Sequence, residues 1–163
     1  MINRRQMIFG SGAVVMAGVA ASLALRSGAA ARTRTYELTL SDSEWRKRLN
    51  AQQYYVLRQA GTEQPFTHKL NHEKRKGTFA CAGCALPLFT SATKFDSGTG
   101  WPSFYAPIKG AIVTDTDTLL GYPRSEVLCR RCGGHLGHVF DDGPRPTGLR
   151  YCMNGAALTF KAA

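Results

Sequence analysis

The first regular pattern of apolar and polar residues after the N-terminal region is helical. Ser41 and Glu44 have the spacing of a capping box, in which two side chains satisfy backbone amides at the start of a helix. Trp45 and Leu49 follow at helical spacing. The pattern therefore predicts one helix that begins after Ser41 and continues to about Gln59.

From Gly77 onward, the chain consists of short apolar or alternating segments separated by Gly, Pro and Asp. Segments of this kind are typical of strands, and they do not alternate with helical segments as parallel βαβ units would require. The pattern predicts a mainly β fold, an antiparallel core with a helical N-terminal arm. The clearest segments are residues 78–80, 111–115, 126–128, 138–140, 149–153 and 157–160.

Residues 1–31 differ in composition from the rest of the chain. They contain the adjacent Arg4 and Arg5, no acidic residue, a mildly apolar stretch rich in Ala and Gly, and small residues before Arg32. A basic start, an apolar middle and a small-residue end predict a signal peptide of the twin-arginine type, with residues 32–163 as the mature domain. An uncleaved membrane anchor is the alternative, which the weakly hydrophobic middle disfavours.

A protein exported in this way is expected in the periplasm or outside the cell, without stable membrane association after cleavage. The chain carries a formal net charge of +10, and a basic surface is compatible with binding to nucleic acid or to an anionic membrane. Because an exported protein rarely meets nucleic acid, we predict no such partner. We interpret the excess of Lys and Arg as a solvated basic surface.

Four of the five cysteines form two Cys-x-x-Cys pairs, Cys81 with Cys84 and Cys129 with Cys132. Two such pairs supply the four thiolates of a closed tetrahedral metal site. Disulfides and a thioredoxin-type redox pair are the alternatives, and iron fits the same ligands. We predict one structural metal site, with zinc as the expected ion, that joins two distant segments of one domain.

The fifth cysteine, Cys152, lies in a segment predicted as a strand. Side chains alternate between the two faces of a strand, so Arg150, Cys152 and Asn154 should share one face. A guanidinium and an amide beside a thiol favour its ionised, nucleophilic form. We predict that Cys152 is reactive; the alternative is an inert cysteine buried in the core.

Two histidines and a tryptophan complete the candidate chemistry. His135 and His138 follow directly after the second cysteine pair and could donate a proton near neutral pH. Further metal ligation or simple solvent exposure are the alternatives for this pair. Trp101 lies in a loop marked by Gly98, Gly100 and Pro102, and its indole would suit a methyl group next to sulfur, although a core position is the usual one for tryptophan.

Together these motifs resemble the B-type methionine sulfoxide reductases, in the same order and over roughly residues 38–160. The resemblance implies two antiparallel β-sheets with short N-terminal helices, a structural zinc on the paired cysteines, and reduction of the R epimer of methionine sulfoxide. The shared motifs are Cys81-x-x-Cys84, Gly-Trp-Pro-Ser-Phe at 100–104, Cys129-x-x-Cys132, His-Leu-Gly-His-Val-Phe at 135–140, and Arg150-Tyr151-Cys152-x-Asn154.

The resemblance also assigns roles within the site. The family's nucleophile maps onto Cys152, its methyl-binding tryptophan onto Trp101, and its substrate-polarising residues onto His135, His138 and Asn154. We expect two further residues to contact the substrate, Phe104 and Arg150. Such an enzyme would act on oxidised proteins or peptides and repair them under oxidative stress, and we expect it to be a monomer.

The chain departs from the family pattern at two positions. Many members carry a resolving cysteine where this chain has Thr99, and many carry serine where it has Gly155. Without a resolving cysteine, the sulfenic acid expected on Cys152 would need an external thiol. We predict a thioredoxin-like reductant as its partner.

Two other functions are compatible with the cysteine pairs. An exported zinc-ribbon interaction module would use its basic surface to bind an acidic partner, and Cys152 would be dispensable. An electron-transfer protein with iron on the four thiolates would be coloured and redox-active. Neither accounts for Trp101, the histidine pair or the Arg-x-Cys-x-Asn strand.

Overall fold

Residues 34–163, the part of the chain that the computed structural model describes, form two antiparallel sheets, two short α-helices and three single-turn 3-10 helices at Lys69–His72, Ser91–Thr93 and Gly155–Ala157. The prediction of a mainly β fold with short N-terminal helices is confirmed. The predicted signal peptide, residues 1–31, lies outside the described residues. Within 34–163, no helix has the length and apolar content needed to cross a membrane.

The N-terminal arm contains two helices, α1 (Asp42–Arg48) and α2 (Ala51–Gln59). The predicted capping box at the start of α1 is present, but the prediction of one continuous helix is wrong. Leu49 has extended backbone angles, and a second capping box follows: Asn50 Oδ1 accepts from Gln53 N–H at 2.9 Å, and Gln53 Oε1 accepts from Asn50 N–H at 3.1 Å. Because the Asn50 side chain accepts from the Gln53 N–H, which a continuous helix would bond to the Leu49 carbonyl, the helix ends and begins again.

The strands are, in chain order, β1 (Gly77–Cys81), β2 (Pro87–Thr90), β3 (Lys94–Phe95), β4 (Ser103–Phe104), β5 (Ile112–Asp117), β6 (Arg124–Cys129), β7 (His135–Phe140), β8 (Arg150–Met153) and β9 (Leu158–Ala162). They form one sheet in the order β2-β1-β9 and a second in the order β3-β4-β8-β7-β6-β5, with every neighbouring pair antiparallel. The predicted strand segments all fall within or overlap observed strands, whereas β2, β3 and β4 were not predicted.

An aromatic cluster joins the two sheets. Phe79 of β1 and Phe89 of β2 both pack on Phe104 of β4, with ring centroids 5.0 and 4.4 Å apart, and all three side chains are fully buried. Burying one such ring contributes about 1.5–3 kcal/mol. The cluster fixes the inner face of the larger sheet, so the opposite face of its central strand, β8, is free to carry a site.

Candidate active site and metal centre

The four paired cysteines lie together as predicted, buried between the two sheets. Their sulfur atoms are all within 4.8 Å of one another, with 3.7 Å between Cys81 and Cys132 and 3.5 Å between Cys84 and Cys129. A tetrahedral zinc with bonds of about 2.3 Å would hold its sulfurs about 3.8 Å apart. The donor set and its spacing therefore fit a four-thiolate metal ion.

The two cysteine turns are hydrogen-bonded in the same way. In each, the first cysteine donates its N–H to the carbonyl five residues later, and its own carbonyl accepts from the residue after the second cysteine. The four bonds are Cys81 N–H to Leu86 O, Ala85 N–H to Cys81 O, Cys129 N–H to Gly134 O and Gly133 N–H to Cys129 O. Because one turn ends β1 and the other ends β6, a metal here would connect the two sheets.

Cys152 lies on β8 in the middle of the larger sheet, between Ser103 of β4 and His138 of β7. Residues paired across strands have side chains on the same face, so the thiol, the hydroxyl and the imidazole emerge together. Gly137 makes this approach possible: its φ is +153°, and a Cβ there would overlap the carbonyl of Cys152. Only glycine leaves room for β7 and β8 to meet in this way.

A cavity of about 210 Å³ opens above Cys152. Aromatic side chains form part of its wall, and polar groups reach it from β6, β7 and β8. Its lining is Thr62, Trp101, Arg124, Gly137, His138, Phe140, Cys152 and Asn154. The cavity thus brings together the predicted Cys152, His138, Trp101 and Asn154.

The imidazole of His138 is held by a carboxylate that the sequence analysis did not single out. His138 Nε2 lies 2.8 Å from Asp117 Oδ2, and Asp117 also pairs with Arg124. The backbone N–H of Leu119, together with His138 and Arg124, lowers the pKa of Asp117 from 3.8 to about 2. An ionised Asp117 accepts its hydrogen bond, so Nε2 carries the proton and neutral His138 presents Nδ1 as a base. Burial lowers the pKa of His138, which favours this neutral form.

His135 is placed behind His138 and does not line the cavity. Its ring meets that of His138 edge to face at 5.3 Å, and its Nδ1 lies 2.6 Å from Glu126 Oε1. Its Nε2 is buried without a hydrogen-bond partner among the described residues. The structure therefore places His135 beside the second imidazole and outside the lining of the cavity.

Trp101 and Asn154 are held by one loop residue, Glu63. The indole Nε1–H donates to the Glu63 carbonyl at 3.1 Å, and the Glu63 N–H donates to Asn154 Oδ1 at 2.9 Å. The buried Glu63 carboxylate accepts from the N–H groups of Gly155 and Ala156 at 2.5 and 2.8 Å. A single residue thus fixes two walls of the cavity from both its backbone and its side chain.

The structure does not bring the other two expected substrate contacts to the cavity. Phe104 is fully buried in the aromatic cluster, on the face of the sheet opposite Cys152. Arg150 shares the face of Cys152, as predicted, but its guanidinium pairs with Asp142 at 2.8 and 2.9 Å and stacks over Phe140. Phe140 lines the cavity, so Arg150 supports that ring, and its guanidinium also interacts with the Cys152 thiol beside it.

Six residues of the site or its support were missed in the sequence. A weak indication existed for Gly137 and Phe140, which belong to the histidine motif. No pattern in the sequence indicates the others, because each reaches the site through contacts with distant segments. The missed residues are Thr62, Glu63, Asp117, Arg124, Gly137 and Phe140.

Comparison with known proteins identifies the family. The SelR domain model matches residues 49–162. The chain is 55% identical over 127 residues to the peptide methionine sulfoxide reductase MsrB of Leptospira interrogans, covering 77% of this chain and 97% of that protein. It is 60% identical over 119 residues to MsrB of Pseudomonas putida, covering 72% and 90%.

A plant relative is longer than this chain. The match to the chloroplastic peptide methionine sulfoxide reductase B1 of Arabidopsis thaliana is 55% identical over 125 residues, covering 76% of this chain and 62% of the plant protein. The domain match, the identities and the placement of Cys152 lead to one conclusion. The chain belongs to the MsrB family of peptide methionine sulfoxide reductases.

Proposed function

We propose that this protein reduces the R epimer of methionine sulfoxide in oxidised proteins and peptides. The observation that carries the proposal is the pairing of Cys152 with His138 at a cavity walled by Trp101. Membership in the MsrB family supports the reaction, and the choice of epimer rests on the resemblance to B-type reductases. The cavity is open to solvent, so the methylsulfinyl end enters while the rest of the polypeptide stays outside.

The aromatic walls suit the methyl group of the substrate. Trp101 and Phe140 both line the cavity, and a methyl group next to sulfur packs well on an aromatic ring. The bond from Trp101 to the Glu63 carbonyl fixes the indole before substrate arrives. Little side-chain ordering is then left for the binding step.

In the first chemical step, the sulfur of Cys152 is oxidised and the substrate is reduced by two electrons. His138 Nδ1 takes the thiol proton, the thiolate attacks the sulfoxide, and the imidazolium returns the proton to the sulfoxide oxygen. That oxygen leaves the substrate for Cys152, so the products are methionine and a cysteine sulfenic acid. Asp117 stabilises the imidazolium between the two transfers, and acid–base help of this kind contributes about 10²–10⁴ in rate.

An external thiol completes the cycle. Four of the five cysteines belong to the metal centre, and the side chain near Cys152 at the family's resolving position is that of Thr99. Two equivalents of thiol would convert the sulfenic acid to thiol and water and leave as a disulfide. We assign this role to a thioredoxin-like protein.

The metal centre is proposed to hold zinc and to act structurally. Four thiolates close the coordination shell and leave no position for substrate. Cys129 and Cys132 precede β7 directly, so the centre would hold the start of the strand that carries His138.

Residues 1–31 are proposed to direct export by the twin-arginine route to the periplasm or the medium, where the cleaved protein acts as a monomer without nucleic-acid partners. Export after folding would carry the thiols across the membrane already bound to metal. The mass of the exported form tests the cleavage site: a chain beginning at Arg32 supports it, and a full-length chain contradicts it.

The reaction is tested with separate R and S epimers of a blocked methionine sulfoxide and dithiothreitol as donor. We expect turnover of the R epimer alone by the wild type and none by Cys152→Ser. Metal content and melting temperature of the variant should match those of the wild type, since Cys152 does not bind metal. Turnover of the S epimer contradicts the proposed selectivity. No turnover of either epimer by metal-loaded wild type would instead favour an interaction module.

A further inference from the structure

A row of hydroxyl groups connects the sulfur of Cys152 to the backbone carbonyl of Trp101. Thr99 Oγ1 lies 3.7 Å from Cys152 Sγ and 2.8 Å from Ser97 Oγ. Ser97 Oγ lies 2.7 Å from Ser103 Oγ, which donates to the Trp101 carbonyl at 3.2 Å. Ser103 is fully buried and is the register partner of Cys152 on β4.

The direction of this row is fixed when Cys152 is a neutral thiol. Each hydroxyl has one hydrogen, and a carbonyl only accepts. With Ser103 donating to the Trp101 carbonyl, Ser97 must donate to Ser103 and Thr99 must donate to Ser97. The sulfur then completes the row by donating its S–H to Thr99. Every hydrogen in the row is used, and the thiol is the terminal donor.

A thiolate requires the opposite direction, because an ionised sulfur only accepts. Thr99 turns its hydrogen to the sulfur, Ser97 donates to Thr99, and Ser103 donates to Ser97. The only bond lost is that from Ser103 to the Trp101 carbonyl, the longest of the oxygen–oxygen contacts in the row. Hydrogen bonds to a charged group are stronger than neutral ones, so the gain at sulfur exceeds this loss.

We propose that Thr99 is a catalytic residue whose hydroxyl donates to the Cys152 thiolate, and that Ser97 and Ser103 are positioning residues that reverse direction with it. The inference rests on the proposed nucleophilic role of Cys152. Thr99 stands where many members of the family carry the resolving cysteine. In this chain that position would stabilise the Cys152 thiolate before attack, whereas a resolving cysteine forms a disulfide with Cys152 afterwards.

Charged groups around the cavity also act on the thiol and must be kept constant in any test. Arg150 lies on the same face of β8, His138 faces it from β7, and Arg124 and Asp117 stand behind the imidazole. None of them contacts Thr99 among the hydrogen bonds of residues 34–163. Removing the Thr99 hydroxyl should leave these charges in place.

The test is the pH dependence of Cys152 alkylation by iodoacetamide in the metal-bound protein, with Cys152→Ser as the background. Thr99→Val keeps the shape of the side chain and removes the hydroxyl. We expect the midpoint of the profile to move to higher pH by about one unit, which is about tenfold less thiolate at a fixed lower pH. Thr99→Ser should restore the midpoint, and Ser97→Ala should shift it by a smaller amount.

Thr159→Val, the same change on β9 of the smaller sheet, should leave the profile unmoved. If the alkylation profile of Thr99→Val superimposes on that of the wild type, the proposal is overturned. It is also overturned if Thr99→Ser shifts the midpoint of the profile as far as Thr99→Val does. Should the valine variant fail to fold, an unmoved midpoint in Ser97→Ala overturns it equally. Because alkylation uses no sulfoxide, a failure here is distinct from failure of the proposed reaction.

Discussion

His138 and Cys152 face each other across β7 and β8 as register partners, and Asp117 binds the far side of the imidazole. The three groups lead from a carboxylate that is ionised near neutral pH, through the imidazole, to a thiol. Such a line favours movement of the thiol proton onto the imidazole, because the carboxylate stabilises the positive charge that results. Its function depends on the protonation of each member, so its clearest tests involve pH.

Replacing Asp117 with Asn should weaken catalysis and shift its pH dependence. Asp117 is the partner that raises the pKa of His138 against the effect of burial. Without it the pKa of His138 falls further, so the acidic limb of the kcat/KM profile should move to lower pH. The imidazolium also becomes harder to form, and kcat should fall by about 10²-fold. Steady-state kinetics between roughly pH 5 and 9 measure both effects. An unchanged pH profile would show that Asp117 takes no part in the mechanism.

The same carboxylate makes the stability of the fold depend on pH in the acid range. Its pKa is about 2 in the folded protein and 3.8 as the ordinary value, so its contribution is fully present above pH 3.8. As the pH falls from 3.8 towards 2, Asp117 takes up a proton in the unfolded state before it does so in the folded state, where its hydrogen bonds favour the ionised form. The contribution of Asp117 to the free energy of unfolding is therefore lost over this range. Urea unfolding of wild type and Asp117→Asn should therefore converge in acid, whereas a constant difference would contradict this account.

Replacing Glu63 with Gln should loosen two cavity walls at once. A neutral amide cannot accept from both the Gly155 and Ala156 N–H groups with the strength of a carboxylate, and we expect a loss of about 1–3 kcal/mol in the free energy of unfolding. The loop that positions Trp101 would shift, raising KM more than it lowers kcat. Glu73→Gln, at a carboxylate that pairs with Arg75 at the surface, is the matched control and should leave KM unchanged.

Removing the metal should destabilise the whole domain and abolish activity together. A metal on the four thiolates would connect β1 to β6, and removing it with a chelator would leave clustered buried thiols. We expect the melting temperature to fall by roughly 10 °C or more. Cys84→Ser should reproduce the effect and Cys152→Ser should not. If the metal-free protein has the same melting temperature as the metal-bound protein, the metal has no structural role.

Replacing Thr99 with Cys should create a resolving cysteine. The Thr99 hydroxyl lies 3.7 Å from the sulfur of Cys152, and a small rotation would bring a cysteine there to bonding distance of about 2 Å. After one turnover with substrate, the Thr99→Cys variant should contain a disulfide between the introduced cysteine and Cys152, visible by mass spectrometry after digestion. If none forms, the loop carrying this position does not approach the sulfenic acid.

The fold was predictable where apolar patterns and turn residues were strong. The strand pattern and the cysteine spacing located the sheets and the metal centre, and the alternation of β8 placed Arg150 beside Cys152. The two-residue strand β4 was not predictable, since its partner Cys152 lies about fifty residues away along the chain. The helix break at Asn50 was readable in principle, because Asn50 and Gln53 repeat the capping pattern.

The site was predictable only for residues with distinctive chemistry. Asp117 ends a polar strand that looks solvent-exposed, and only the register of β5, β6 and β7 brings it to His138. Glu63 sits in a loop and acts through the backbone amides of a distant segment. Phe104 shows the converse error, since it lies in a functional motif yet packs in the core.

Replacing Gly137 with Ala should inactivate the enzyme without disturbing the metal. The new methyl group would overlap the Cys152 carbonyl and push β7 from β8. We expect a loss of about 2 kcal/mol or more in stability and of nearly all turnover. Gly110→Ala, also at a positive φ but with open space around its Cβ, should keep full activity. An active Gly137→Ala variant would show that the two strands need not be so close.

Gly137 also distinguishes chains that share only this fold from chains that can carry out the reaction. A chain can retain both cysteine turns, and so the fold, after the space beside the reacting sulfur has been filled. Such a chain would keep a metal-stabilised fold without the reductase activity. When genomes are searched for repair enzymes, one glycine beside a histidine therefore discriminates better than four cysteines.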